Sequence, residues 1–399
     1  MRGSSLSLDY VVYCSFLAIG MLGVAASAYS LYLGREFDRR IAQRLDAPTR
    51  KYKPQVCVVM ACRGAEAGLE RNISAILNQS YESYRIIFVT DSTYDPAYSI
   101  VGTMLKQHVG TENLLCIAKE HSQASGKVAA LLTALETDAY SSDVYAFVDS
   151  DALVSEGWLA ALVNPLEDAS VGVTTGFRWY FAGRGFWSHV EAAWNASGTN
   201  LLFDEHYSFP WGGAMAIRAE TLKKINIYQV WENAISDDLS LNLALRKHGL
   251  SVMFLPQCCV VTYNETNLQR LLNWTTRQVT LVRAYYRRLW NYGLVAYGFS
   301  NLLILLGALS LIAAEAISLN WLLPAFILLL PSLLGAYRNR QRARSFRRVM
   351  PRFEADFDRV GLVDAVASLI VPWIMTYCIL KSARTNTIEW RGRRYELTK

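Results

Sequence analysis

From Gln55 onward the apolar positions fall into short continuous runs separated by amphipathic stretches, the alternation of buried strands and covering helices. Val56–Ala61, Arg85–Thr90, Asn113–Ala118 and Val144–Val148 read as strands, whereas Leu69–Leu77 and Lys127–Leu135 carry apolar residues at helical spacing. This βαβ order predicts an α/β domain with nucleotide-binding architecture. On either side the pattern changes. Val11–Gly34 has no charged residue over about 24 positions, enough for a helix to span a bilayer. Gly293–Ala314 and Ala316–Tyr337 are of the same kind, with Glu315 in the turn between them. Thr266–Tyr292 mixes arginines and aromatics in a helical pattern that suits the headgroup level. Gly361–Leu380 is a last apolar run, interrupted by Pro372.

Composition agrees with that partition. A chain of 399 residues with 52% hydrophobic content has room for one large domain plus membrane helices. The net charge of +6 is concentrated beside the apolar runs, which favours a bilayer partner over nucleic acid. Arg35, Arg39, Arg40 and Arg44 follow the first apolar run, and Arg338, Arg340, Arg342, Arg344, Arg347 and Arg348 follow the third. The positive-inside rule then places the α/β domain in the cytosol, as part of a multi-pass integral membrane protein. The expected parts are a transmembrane anchor over 1–34, a cytosolic α/β domain over 50–265, an interfacial helix over 266–292 and two transmembrane helices over 293–337. A basic cytosolic segment over 338–360, a transmembrane or re-entrant segment over 361–381 and a cytosolic tail over 382–399 complete the chain. Basic flanks on both sides of the Pro372 segment predict a broken, re-entrant helix. Seven cysteines without a CxxC pair predict reduced thiols and no structural zinc.

The candidate chemistry lies at strand ends. Tyr145–Val148 runs into Asp149-Ser150-Asp151, two carboxylates one residue apart beyond a strand, where ligands of open α/β sheets bind. Such a pair suits Mg2+ or Mn2+, with water and phosphate oxygens as the other ligands, and in the nucleotide-sugar site that the resemblance given below implies, Asp149 also falls on the nucleoside side. Arg63 and Asp91 end the two preceding strands and face the same crevice. Asp91 has two readings, acceptor for a uracil or ribose and cap of the turn before Asp95-Pro96. Lys127 follows Ser125-Gly126 at a helix start, where amides and an ammonium favour phosphate; a solvated helix lysine is the alternative. Trp211-Gly212-Gly213 suits either close backbone approach to a ligand or a plain turn into a strand. Asp237-Asp238 follows Ser236, so both acids suit helix capping, and Asp238 also suits a general base toward a hydroxyl. Arg270, Trp274 and Arg277 share a helical face able to meet a diphosphate.

In this order the motifs resemble the membrane-bound family 2 and family 21 inverting glycosyltransferases, in particular the ceramide glucosyltransferase-like group. The resemblance rests on Asp91-Ser-Thr-Tyr-Asp95-Pro96-Ala97, Asp149-Ser150-Asp151, Asp237-Asp238 and the tail Trp390-Arg391-Gly392-Arg393-Arg394-Tyr395. One position departs: Asn273 stands where the family's (Gln/Arg)-x-x-Arg-Trp has its second arginine, which leaves Arg277 to meet the leaving group. The resemblance implies a GT-A fold, a nucleotide-diphospho-sugar transferase domain with transmembrane helices at both ends. It implies a UDP-sugar donor, a divalent metal, Asp238 as catalytic base and a membrane lipid such as ceramide or diacylglycerol as acceptor, in glycolipid biosynthesis. The rival readings are a processive polysaccharide synthase and a catalytically weak nucleotide-sugar-binding membrane protein.

Overall fold

The computed structural model describes residues 8–47, 52–108, 112–120, 123–204, 206–359, 361–390 and 392–397; Arg391 of the tail motif lies outside them. The chain opens with helix α1 (Leu8–Leu45) and enters the α/β domain through β1 (Val56–Cys62), α2 (Leu69–Leu77), β2 (Tyr84–Thr90), α3 (Pro96–Gln107), β3 (Leu114–Ile117), α4 (Gly126–Asp138) and β4 (Val144–Asp149). Then come α5 (Trp158–Val163), β5 (Val171–Thr175), β6 (Arg178–Ala182), α6 (Phe186–Ser197), β7 (Ala214–Arg218), α7 (Ala219–Lys224), α8 (Ile227–Trp231), α9 (Asp237–Lys247), β8 (Ser251–Phe254) and β9 (Val260–Asn264). The last part comprises α10 (Leu268–Tyr285), α11 (Arg287–Ala316), α12 (Leu322–Val349), α13 (Glu354–Asp358), α14 (Leu362–Ser382) and the hairpin β10 (Thr387–Trp390) and β11 (Arg393–Glu396).

Seven strands form one sheet in the order β3-β2-β1-β4-β7-β5-β8, in which β7 alone runs against its neighbours. Helices cover both faces, so β1 is buried on both: Val56, Val58 and Met60 join one core, Cys57 and Val59 the other. That is why these strands read as unbroken apolar runs rather than alternating ones. β6 and β9 form a separate parallel pair beside the sheet.

Among the described residues, four helices are long and apolar enough to cross a membrane: Asp9–Leu45, Arg287–Ala316, Leu319–Val349 and Leu362–Ser382. Their boundaries differ from the expected parts in three ways. First, α1 and α12 continue as helix through their arginine flanks, because Arg is a good helix former and nothing interrupts the ladder. Second, the expected interfacial helix over 266–292 stops at Tyr285, where Tyr286 (φ −135°, ψ 64°) leaves helical geometry, and Arg287–Tyr292 form the first turns of α11. Third, α14 is one continuous helix through Pro372, not the broken hairpin expected from sequence. Asn301 Nδ2 donates to Pro372 O at 3.2 Å and to Thr376 Oγ1 at 3.0 Å, and Val371, Met375 and Ile379 pack against α6, α10 and α11, contacts that hold the helix across the proline. One end of α14 touches α6 of the α/β side, where His189 Nδ1 and Asp364 Oδ1 are 2.8 Å apart, and the other touches the start of α11, where Trp290 Nε1 donates to Ser382 Oγ at 2.9 Å.

Candidate active site

Because β1 pairs in parallel with both β2 and β4, Cys62 lies opposite Thr90 and Ala61 opposite Asp149. Arg63, Asp91 and Asp149 therefore emerge together at one sheet edge. Arg63 Nε and Arg393 Nη2 stand 3.2 and 3.3 Å from the same oxygen, Asp91 Oδ2. The neighbouring Asp95 serves the fold, since its Oδ1 accepts from Ala97 N and Gly64 N, each at 2.8 Å, and so caps α3. Asp91, relieved of capping, keeps its carboxylate toward the crevice.

Ser125 caps α4 and so sets Lys127 in its first turn. The Lys127 ammonium lies 2.8 Å from Asp149 Oδ1 and 3.0 Å from Asp237 Oδ2, and donates to Gly212 O at 3.2 Å. Burial works against this charge, but Asp149 and Asp237 outweigh it, and the pKa of Lys127 is raised. In this arrangement Lys127 ties two acids together, a contact that neither the phosphate reading nor the solvated-lysine reading of the sequence included. Burial pushes Asp237 up to about 6, with Lys127 opposing and Asp238 and Asp149 adding to the shift. Gly212 and Gly213 make this density possible: a methyl on the first would collide with the Asp237 carboxylate, and on the second would stand 2.5 Å from Asp149 Oδ2.

Asp238 is the more accessible of the α9 pair. Its Oδ1 accepts from Leu239 N at 2.7 Å and from the Ser236 hydroxyl, while Oδ2, among the described residues, has a long 3.4 Å contact from Gly212 N. One oxygen is fixed by the helix start and the other is turned toward the crevice.

A residue absent from the sequence reading joins the acids of β4. Arg178, at the start of β6, donates from Nη2 to Asp149 Oδ2 at 2.9 Å and from Nη1 to Asp151 Oδ2 at 2.9 Å. Its guanidinium lies 4.9 Å from the Trp211 ring centre. Burial opposes its charge, yet Asp151, Tyr180 and Asp149 raise its pKa. The signal available in sequence was a single arginine inside the aromatic run Phe177–Phe181, since a charge in a buried strand requires a partner.

The expected face of Arg270, Trp274 and Arg277 is divided. Trp274 packs edge-on to Trp194 at 4.5 Å and against Tyr180 at 5.8 Å, whereas the Arg277 guanidinium lies 5.3 Å from the Trp390 ring of the tail. Arg270 is exposed in the first turn of α10 and is not brought to the acids. Asn273 is also exposed and accepts from Gln269 Nε2 at 2.9 Å. The tail hairpin crosses the crevice, where the Tyr395 hydroxyl accepts from Gly126 N at 3.2 Å at the α4 N-terminus. Arg283 anchors it by donating to Ala383 O at 3.0 Å and Asn386 Oδ1 at 2.7 Å.

Residues 15–399 match the profile described as glycosyl transferase family 21. The chain belongs to glycosyl transferase family 21. As a family 21 protein it is a glycosyltransferase with a nucleotide-sugar donor, and its α/β domain is of the GT-A type, with long apolar helices at both ends. A search of curated protein sequences finds no significant match. Among solved structures, the mannosyltransferase PcManGT from Pyrobaculum calidifontis in complex with GDP-Man and Mn2+ is similar at 18% identity, over 92% of this chain and 98% of that one, with a TM-score of 0.48.

One further buried acid of this family 21 chain lies beside the crevice. Glu191 on α6 is 4% exposed and accepts from Asn264 Nδ2 at 2.5 Å. Burial pushes it up to about 7 from an ordinary 4.5, with Thr266 and Asn264 opposing. A raised folded-state value means that its contribution to stability is complete below about 4.5 and is lost as pH rises through about 7. Glu191→Gln is therefore expected to stabilise the protein by about 2 kcal/mol at pH 8 and to change little at pH 5. Thermal unfolding at the two values checks this; an equal shift at both would mean that ionisation is not the cause.

Proposed function

We propose that this protein transfers glucose from UDP-glucose to the hydroxyl of a membrane lipid, with inversion at the anomeric carbon. The observation that carries the reading is the convergence of Asp91, Asp149, Asp151 and Asp238 from three separate segments, the ends of β2 and β4 and the start of α9, onto one crevice bordered by α6 and α10. These helices share an apolar layer with α11 and α14, built from Val190, Leu271, Trp290 and Met375, against which a lipid chain would lie.

Asp91 and Arg63 hold the nucleoside, with Asp149 on the same side. The carboxylates of Asp149 and Asp151 fit a hard divalent ion such as Mg2+ or Mn2+, which takes one or two protein carboxylates and completes its shell with water and diphosphate oxygens. Among the described residues no third acid, histidine or cysteine joins them. When bound, such an ion neutralises charge on the departing diphosphate. Arg178 and Lys127 bring two fixed positive charges to the same acids, and Arg277 stands beside the tail to meet the leaving group. Asp238 takes the proton of the acceptor hydroxyl as its oxygen bonds to the anomeric carbon from the face opposite the phosphate. The bond from that carbon to phosphate oxygen breaks, and its electron pair leaves with UDP. Gly212 and Gly213 let the backbone sit beside these groups, and the tail hairpin excludes water from the donor.

The arginines in the last turns of α1 and within α12 favour a cytosolic catalytic domain with the N-terminus outside. The tail after α14 is read as cytosolic and beside the donor, since Arg283 donates to Ala383 O and Asn386 Oδ1 and Arg393 meets Asp91. The deciding experiment measures nucleoside diphosphate release by detergent-solubilised protein with Mn2+ or Mg2+, over UDP- and GDP-sugars, with and without lipid extract. Release that needs both UDP-glucose and lipid is expected. Donor binding without turnover on any lipid would favour a nucleotide-sugar-binding protein, and Asn273→Arg would be the first variant to make.

A further inference from the structure

We propose that Arg338 and Arg342 form a buried site for the phosphate of an anionic lipid headgroup, at the junction of α1, α12 and the turn after α6. The two arginines lie one helical turn apart on α12 and are 3% and 8% exposed. Both reach the same neutral atom, Asn200 Oδ1: Arg338 Nη2 at 3.3 Å, and Arg342 Nε and Nη2 at 3.4 and 3.2 Å. Arg338 Nη1 donates to Gln341 Oε1 at 3.3 Å, and Arg338 Nε is buried with no partner. Among the described residues, neither guanidinium lies within 4.0 Å of a carboxylate. Asp38, the nearby acid, is engaged by Gln341 Nε2 at 3.2 Å and by the Ser345 hydroxyl.

Buried charges are ordinarily paired, because a lone cation removed from water is costly, and two adjacent cations add their repulsion. One amide oxygen cannot satisfy two guanidinium forks. The missing partner is an anion with several acceptor oxygens, the chemistry that a phosphate offers to arginine. Position argues for a lipid as its source. The apolar stretch of α12 gives way to arginines at this point, where headgroups meet the end of a membrane helix. Asn200 is exposed, so the guanidiniums lie just beneath an accessible surface. Nearby, a cavity of about 340 Å3 lined by Arg40, Gln43, Arg44 and Phe203 extends the positive character, with Arg40 Nη1 donating to Phe203 O at 2.9 Å. None of these residues takes part in the donor site, so the inference does not rest on the proposed reaction.

The test compares full-length protein in nanodiscs of phosphatidylcholine with discs containing phosphatidylglycerol, reading the unfolding temperature and the lipid retained in native mass spectrometry. Wild type should unfold about 3 °C higher in the anionic discs and retain phosphatidylglycerol. Arg342→Gln should lose that rise while unfolding no lower than wild type in phosphatidylcholine, since it removes an uncompensated charge. Arg344→Gln, which removes an exposed arginine of the same helix, should keep the rise. Should the glutamine variant fail to assemble, Arg342→Lys serves instead and should show a smaller rise. A full rise in the Arg342 variant, or equal loss in Arg344→Gln, would overturn the site. An equal rise from inorganic phosphate in phosphatidylcholine discs would overturn the lipid as its source.

Discussion

Asp238→Asn is expected to bind the nucleotide-sugar normally and to transfer sugar about a thousandfold more slowly, the range for loss of a general base. The substitution keeps the shape of the α9 start, because an amide oxygen still accepts from Leu239 N and from the Ser236 hydroxyl. What it removes is the basic oxygen turned toward the crevice. Single-turnover transfer rates, set beside calorimetric donor affinity, separate the two effects: the rate should fall while the affinity holds. A variant that keeps more than a tenth of the rate would displace Asp238 from the role. Asp237 is not an equivalent substitute, because it is 5% exposed and paired with Lys127 at 3.0 Å.

Asp149→Ala is expected to abolish turnover and also to destabilise the fold by about 3–5 kcal/mol, the cost of leaving buried charges without their partner. Asp149 lies 2.8 Å from Lys127 Nζ and 2.9 Å from Arg178 Nη2, so its removal strips one anion from two buried cations at once. The unfolding temperature should fall by about 10 °C. Asp151→Asn should fall less, because Arg178 keeps Asp149 and Lys127 is untouched. If both variants unfold with wild type, the cluster contributes nothing to the fold and the acids serve the ligand alone.

The contrast between these two acids bears on how the site was legible. Asp149 and Asp151 stand out in sequence because a buried strand ends in charges, and local pattern identifies a strand end. Their different structural duties were not legible. Arg178, which joins them, comes 27 residues after Asp151. It reaches them because β6 pairs with β9 beside the main sheet, a pairing with no local signature. Lys127 shows the same limit. Its place at a helix start was readable, whereas its turn inward, between Asp149 and Asp237, depends on Gly212 lying against α9.

By itself the sequence determined the elements whose cause is local. The apolar runs of β1, β2 and β4, the charge-free stretch of α1 and the serine caps of α4 and α9 each depend on residues within about ten positions, through burial periodicity and end groups. Tertiary structure decided what depends on distant partners. The break at Tyr286, the continuity of α14 through Pro372 and the pairing of Arg393 with Asp91 across 302 residues all follow from packing and charge satisfaction between remote segments. A proline or an arginine has several local conformations of similar free energy. The contact that selects one of them, such as Asn301 on Pro372 or Asp91 on Arg393, exists only after the chain has folded.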